Sequence, residues 1–294
     1  MAEKPLLLAV PNVSAGRDPE VLEAIERGLG PARFLDLHSD PDHDRSVFTL
    51  AGRQGEVAPA LLSLARVAVE RIDISASGGN HPHVGALDVM PVVYLDDARR
   101  GAACAEVLTA AALVGEELAV PVFLYGELAT RPEHVERASI RRGGPEALAR
   151  RIREAELVPD FGPARAHPTA GAVLAAARPP LVAFNVDLQT DDVETAREIA
   201  TGLRESGGGL PGVRAIGLYL ADRDRAQVST NVHDHRAVPL RRIVEYVRAR
   251  APVAEAELVG LAPRQAFEDF PADVPLRGFH PERHILEEVL AALD

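Results

Sequence analysis

Tryptophan is absent from this 294-residue sequence, and aromatic residues make up only 4% of it. Its cores must therefore be built mainly from Leu, Val, Ala and Ile. The single cysteine, Cys104, excludes an intramolecular disulfide and, without a second thiol, says little about zinc. It falls in the apolar-rich run 102–114 and reads as a small buried hydrophobe on a helix. Positive charge is in deficit: the formal net charge is −12, which disfavours a nucleic-acid partner, because phosphate binding needs a basic stripe. No segment approaches the ~20 apolar residues of a membrane span. The opening Met1-Ala2-Glu3-Lys4-Pro5 passes straight into a short apolar run, without the longer apolar stretch of a signal peptide. These absences predict a cytoplasmic protein with no nucleic-acid or membrane partner. There is also no phosphate-binding loop and no Gly-x-Ser-x-Gly nucleophile elbow, and Gly207-Gly208-Gly209 follows a predicted helix, where it reads as a stop.

What is present is ordinary soluble composition, 47% hydrophobic and 26% charged, in a chain long enough for one large or two compact domains. The pattern predicts a strand at 6–10, then a helix opened by Asp18 as N-cap with Pro19 at its first position and stopped by Gly28 and Gly30. Strands follow at 34–37 and 46–51, a helix at 57–69 and a strand at 72–75. The same order returns beyond residue 180: strand 181–188, a helix capped by Asp191 or Asp192, strands 213–220 and 227–232, helix 240–249 and strand 256–261. Two βαββαβ units predict an α+β protein of two ferredoxin-like lobes, 1–178 and 179–294. The first carries additions: a strand candidate at 92–95, a long helix at 98–118 and a strand at 121–125. Two short helices are expected within the Arg-rich stretch 130–156, whose Arg141, Arg142, Arg150 and Arg151 read as a solvated face. The stretch 158–171 is a long aperiodic loop, and a loop this long in a compact protein is usually functional or disordered. A C-terminal helix is expected at 281–293.

Three polar clusters could carry chemistry. The most informative is Gly78-Gly79-Asn80-His81-Pro82-His83-Val84-Gly85-Ala86-Leu87-Asp88-Val89, which combines backbone-controlling residues with two imidazoles and a carboxylate. An imidazole held in place suits proton transfer near neutral pH. The others are the hairpin Asp36–Arg45 and Asn231-Val232-His233-Asp234-His235. Residue types alone leave a metal-dependent amidine or amide hydrolase open, built from His38, His43, His81, His83, His233 and His235. No single cluster completes a ligand set.

Several segments, taken in order, resemble the glutamate formimidoyltransferases, including the transferase part of formimidoyltransferase-cyclodeaminase. They are Val10–Gly16, Asp40–Thr49, His81-Pro82 with Gly85–Val89, the loop Pro159-Asp160-Phe161-Gly162-Pro163-Ala164-Arg165-Ala166-His167-Pro168, Ala183–Val186 and Gln227–Asn231. The resemblance implies two ferredoxin-like lobes with the ligand between them, a homodimer, and transfer of a formimino group from N-formimino-L-glutamate to N5 of tetrahydrofolate, releasing glutamate. Tetrahydrofolate would be a co-substrate, with no metal. It implies His81 as the catalytic acid and base, Arg45 as a two-bond grip on a substrate carboxylate, Asn12 and Asp88 as orienting groups, and the 159–168 loop as the folate cradle. The chain departs from the family pattern at Asp44, Asn80, His83 and Asp187. The loss of a cation at His83 and the added anions would make the site less welcoming to anionic substrates. A folate-binding relative without catalysis is the remaining alternative.

Overall fold

The computed structural model describes residues 3–76 and 79–293. Gly78 of the His81 motif lies outside them. The chain divides into two compact units, 1–179 and 180–294.

In the first unit, β1 (Leu6–Ala9) and β2 (Asn12–Val13) run in line, each flanked by the same neighbours. The chain then enters α1 (Pro19–Arg27), whose first-turn N–H groups bond to the Asp18 carboxylate, as expected of Asp18 before Pro19. β3 (Arg33–Asp40) and β4 (Arg45–Arg53) form a hairpin, followed by α2 (Val57–Arg71). The expected strand at 72–75 is not formed. Ile72 ends α2, and the Asp73 carboxylate takes the N–H and hydroxyl of Ser75, winding 74–76 into a turn of 3₁₀ helix. The strand that fills the place is β5 (Leu87–Val93), which begins inside the His81 motif; the candidate at 92–95 catches only its far end.

Beyond β5 come α3 (Arg100–Glu117), β6 (Val122–Leu124), α4 (Arg137–Arg141), α5 (Gly144–Arg153) and β7 (Val173–Arg178). The sheet runs β3-β4-β1/β2-β5-β7-β6, antiparallel as far as β5 and parallel from β5 through β7 to β6. β7 carries little strand signal in the sequence, because its run, Val-Leu-Ala-Ala-Ala-Arg, is alanine-rich with a single β-branched residue, Val173. The main core joins the sheet to α1, α2 and α3 through Leu7, Ile25, Phe48, Leu50, Leu61, Leu64, Met90 and Val107. A smaller cluster packs Ile140 of α4 and Leu148 and Ile152 of α5 against Val89, Phe123 and Leu174. Cys104 lies on α3, partly buried against the main core.

The second unit is β8 (Val182–Leu188), α6 (Val193–Leu203, capped by Asp192), β9 (Val213–Leu220), β10 (Arg225–Val232), α7 (Leu240–Arg248) and β11 (Val253–Val259). Its four strands are antiparallel in the order β11-β8-β10-β9. Alternation puts Val182, Phe184, Val186 and Leu188 of β8 into a core with Ile199, Leu203, Ile243 and Val247. The expected helix at 281–293 is two short helices, α8 (Pro281–His284) and α9 (Leu286–Ala291). They part at Ile285 because Ala262 pairs with the chain there, donating its N–H to His284 O and accepting from Leu286 N–H. The mixed α+β class read from the sequence is the one observed, with two sheets and their helices.

Candidate active site

In the first unit, the end of β2 and the starts of β4, β5 and β7 meet at one end of the sheet. Asn12, Arg45 and Asp88 converge there. Opposite β2, Asn12 pairs with Val89 and Val13 with Leu87, so Asp88 is the extra residue of a β-bulge. Such a bulge re-aims a side chain out of the ordinary alternation. The Asp88 carboxylate is fully buried, accepting from Arg45 Nη1 at 2.7 Å, from Val84 N–H at 2.9 Å and from the Arg141 guanidinium. Arg45 Nε donates to Asn12 Oδ1 at 3.0 Å, and Asn12 Nδ2 donates back to Val10 O at 2.9 Å. Burial by itself would raise the Asp88 pKa. Arg141, Arg45 and the hydrogen bonds to the carboxylate outweigh that and hold it below the usual carboxylate range.

Arg45 Nε and Nη1 are engaged within the protein, by Asn12 and Asp88, so a substrate carboxylate would meet the remaining N–H groups of its guanidinium. One expectation is revised. Arg141, expected on a solvated face, is nearly buried on α4 and shares Asp88 with Arg45. Its pKa is pushed down to about 10, chiefly by burial, which leaves it a cation at neutral pH. Arg151 is buried too, its Nη1 spent on the carbonyls of Ser139 and Ile140, while Arg142 and Arg150 are exposed as expected. Nothing in the sequence spacing separates Arg141 from Arg142; only the docking of α4 does.

His81 sits in the loop that leads into β5. The loop is held at both ends by backbone contacts that only glycine permits. A Cβ at Gly79 would stand 2.1 Å from His43 O, and one at Gly85 would stand 1.9 Å from Ala172 O. Asn80 N–H bonds to Asp42 O at 3.2 Å, tying the loop to the β3–β4 hairpin, and the His43 ring lies 5.8 Å from the His81 ring. In that hairpin Asp40 accepts from His43 N–H, and Asp44, at φ 46°, accepts from Gly16 N–H at 2.9 Å. Asp44 is therefore built into the hairpin turn.

The His81 side chain stays part-exposed, yet it is crowded by cations. Desolvation first, then Arg45, Arg141 and His43, hold its pKa well below the usual imidazole value, so the ring is neutral at pH 7. Its Nδ1 lies 3.0 Å from Pro82 O. A carbonyl can only accept, so that bond assigns the proton to Nδ1 and leaves Nε2 as the basic nitrogen. His83 Nδ1 lies 3.2 Å from His81 O.

The 159–168 loop divides in two. Asp160 is turned into the protein, accepting from Leu124 N–H at 2.7 Å and from the Thr130 hydroxyl. It also faces the buried His134, whose Nδ1 is 3.9 Å away. Phe161 packs on the main core, and its carbonyl accepts from Val122 N–H. Pro159 and Pro163 are half-buried, whereas Gly162, Ala164, Arg165 and Pro168 are exposed. Half-buried Ala166 touches the smaller core, and His167 Nδ1 accepts from Ala170 N–H at 3.0 Å, closing a turn that ends at Gly171. Just past it, Ala172 N–H bonds to Val84 O, so the loop's end lies against the His81 loop.

Among the described residues, no three His, Cys, Asp or Glu side chains converge into a set that could hold a metal ion. His233 and His235 lie in the second unit, after β10. Asp187, also in the second unit, is buried on β8, accepting from Gln227 Nε2 at 2.8 Å, and burial raises its pKa.

A neutral imidazole on a clamped loop, in a unit that also holds a buried Arg–Asp–Arg cluster at a sheet end, is an arrangement suited to acid–base chemistry. Comparison with known proteins supplies the family. Residues 6–178 match the sequence profile "Formiminotransferase domain, N-terminal subdomain", and residues 183–272 match "Formiminotransferase domain". The chain belongs to the formiminotransferase family. It is 39% identical over 269 residues to a glutamate formimidoyltransferase of Streptococcus pyogenes, covering 88% of this chain and 90% of that one. It is 37% identical over 294 residues to a glutamate formimidoyltransferase of Thermoplasma acidophilum, covering 96% of each. A formimidoyltransferase-cyclodeaminase of Mus musculus is 39% identical over 282 residues, and the match covers 90% of this chain and 51% of that protein.

Proposed function

We propose that the chain transfers the formimino group of N-formimino-L-glutamate to N5 of tetrahydrofolate, with glutamate as the leaving product. The observation that carries this is the neutral, part-exposed His81 imidazole on a clamped loop, in a chain matched along nearly its whole length by glutamate formimidoyltransferases. The N5 amine must lose a proton as its bond to the amidine carbon forms. The glutamate nitrogen must gain one as its bond to that carbon breaks. Nε2 of His81 takes the first proton and returns it for the second, so the ring ends as it began. General acid–base help of this kind contributes typically ~10²–10⁴-fold, and alignment of the two substrates adds to it.

The rest of the reading rests on the same family. Residues 1–178 and 179–294 are taken as ferredoxin-like lobes. Support comes from the second unit, whose βαββαβ chain folds in the strand order fourth-first-third-second, and from the same order in β5-β1/β2-β4-β3 of the first. Tetrahydrofolate serves as co-substrate with no metal required, and the exposed stretch of the 159–168 loop contacts it. Asn12, Arg45 and Asp88 support His81 and the bound ring. The enzyme works in histidine breakdown, in the cytoplasm, as a homodimer.

The test is titration of 5-formyltetrahydrofolate into the metal-stripped protein, followed by turnover with tetrahydrofolate and N-formimino-L-glutamate. Saturable binding and turnover are expected, and His81→Ala should fold and bind folate normally while losing at least 100-fold in kcat. Folate binding without turnover would make the chain a non-catalytic relative. Turnover in His81→Ala close to that of the unaltered protein would remove the imidazole from the mechanism.

A further inference from the structure

Arg141 is the least expected member of the site. It comes from α4, a five-residue helix in the segment between β6 and β7, and reaches Asp88 on the central strand β5. Ile140, its neighbour, is fully buried in the smaller core and anchors the helix there. Asp88 is the common point. One carboxylate oxygen receives both guanidinium groups, and the other receives Val84 N–H, three residues after His81. Val84 O in turn accepts from Ala172 N–H. A pull on Asp88 from α4 is therefore a pull on the loop that carries the imidazole.

We propose that Arg141 is a positioning residue for His81, holding Asp88 against the His81 loop from outside the sheet and adding a second cation to a buried cluster that contains one carboxylate. The inference rests on the proposed role of His81 as the base. Two guanidinium groups against one carboxylate leave the cluster with a net positive charge, and a protonated imidazole beside it is disfavoured. The groups that bear on His81 are Arg45 of the sheet, Arg141 of α4, His43 of the hairpin and, against its backbone carbonyl, His83 of its own loop; Asp88 is joined to that loop through Val84 N–H, and Asp42 and Asp44 lie where the hairpin meets it. Arg141 reaches the cluster from α4, outside the β-sheet and its hairpin. It meets Asp88 through Nη2 alone, on an oxygen already bonded to Arg45, so what it supplies is a charge delivered at the reach of a planar guanidinium, which an ammonium does not reproduce.

The experiment uses the full chain labelled with ¹³C in its imidazoles, with the His81 signal assigned by its loss in His81→Gln. In Arg141→Met the His81 titration should move up by about half to one pH unit. The acid limb of kcat/KM should move with it. kcat should fall at least tenfold, while KM for either substrate changes less than threefold. Arg141→Lys should keep the His81 titration near its original position and recover only part of kcat, since charge returns without the guanidinium's reach to Asp88. A rise in KM with kcat unchanged would make Arg141 a substrate-binding residue and overturn the proposal. So would an unmoved His81 titration in Arg141→Met. If that variant fails to fold, an Arg141→Lys protein with full kcat would refute the positioning role. Because the titration needs no substrate, it decides the inference even if the transferase reading itself fails.

Discussion

Replacing Asp88 by alanine removes the one acceptor that Arg45 Nη1, the Arg141 guanidinium and Val84 N–H share. Breaking a buried ion pair from one side costs about 3–5 kcal/mol, because the surviving charge stays buried without its partner. The abandoned Val84 N–H adds about 1–3 kcal/mol. Contributions within one network are not additive, so a loss on the order of 5 kcal/mol is expected. At about 2–4 °C per kcal/mol for a unit of this size, the melting temperature should fall by roughly 10–20 °C. Asp88→Asn keeps one carbonyl acceptor but turns an NH₂ toward the guanidiniums, and should lie between alanine and the unaltered protein. The control is Glu23→Ala, whose partner Arg27 lies 3.6 Å away with both side chains about two-thirds exposed or more; it should cost under about 0.5 kcal/mol. Urea and thermal unfolding at pH 7.5, followed by circular dichroism, compare them. A loss below about 1 kcal/mol in Asp88→Ala, close to the Glu23→Ala value, would refute the view that this carboxylate holds the cluster together.

Two further outcomes follow from the same geometry. Gly85→Ala places a Cβ 1.9 Å from Ala172 O, where backbone on both sides must move; it should lower the melting temperature by several degrees and reduce kcat, and an unchanged melting temperature would mean that these two loops do not touch. Stability should also decline as pH falls below about 6.5. Burial holds the pKa values of His81, His134, His167 and His235 down, so below that pH the unfolded chain takes up protons that the folded chain refuses. Asp187, raised by burial, acts in the opposite sense at lower pH, one carboxyl against four imidazoles. The depressed Asp88 adds a second loss of stability as pH drops below about 3.9. A urea midpoint at pH 5.5 equal to that at pH 7.5 would contradict this.

Much of the second unit was legible along the chain, because its strands alternate apolar and polar residues and its helices have clear starts, such as Asp192 before Val193. The His81 motif, the hairpin at 40–45 and the loop at 159–168 stood out as well, since glycine, proline and titratable groups rarely gather without a backbone reason. The sequence by itself thus determined the α+β class, most of the elements and the residues worth suspecting. It did not determine strand β7, whose alanines express no periodicity, or strand β5, whose start is hidden inside a turn-rich motif. Nor did it separate Arg141 from its exposed neighbour Arg142, or show that Asp160 points inward to Leu124 and Thr130. Local pattern records which side chains avoid water. Which charged groups come to share one buried carboxylate depends on how distant segments pack, and a contact such as Arg141 with Asp88, 53 residues apart, exists only once β5 and α4 have docked.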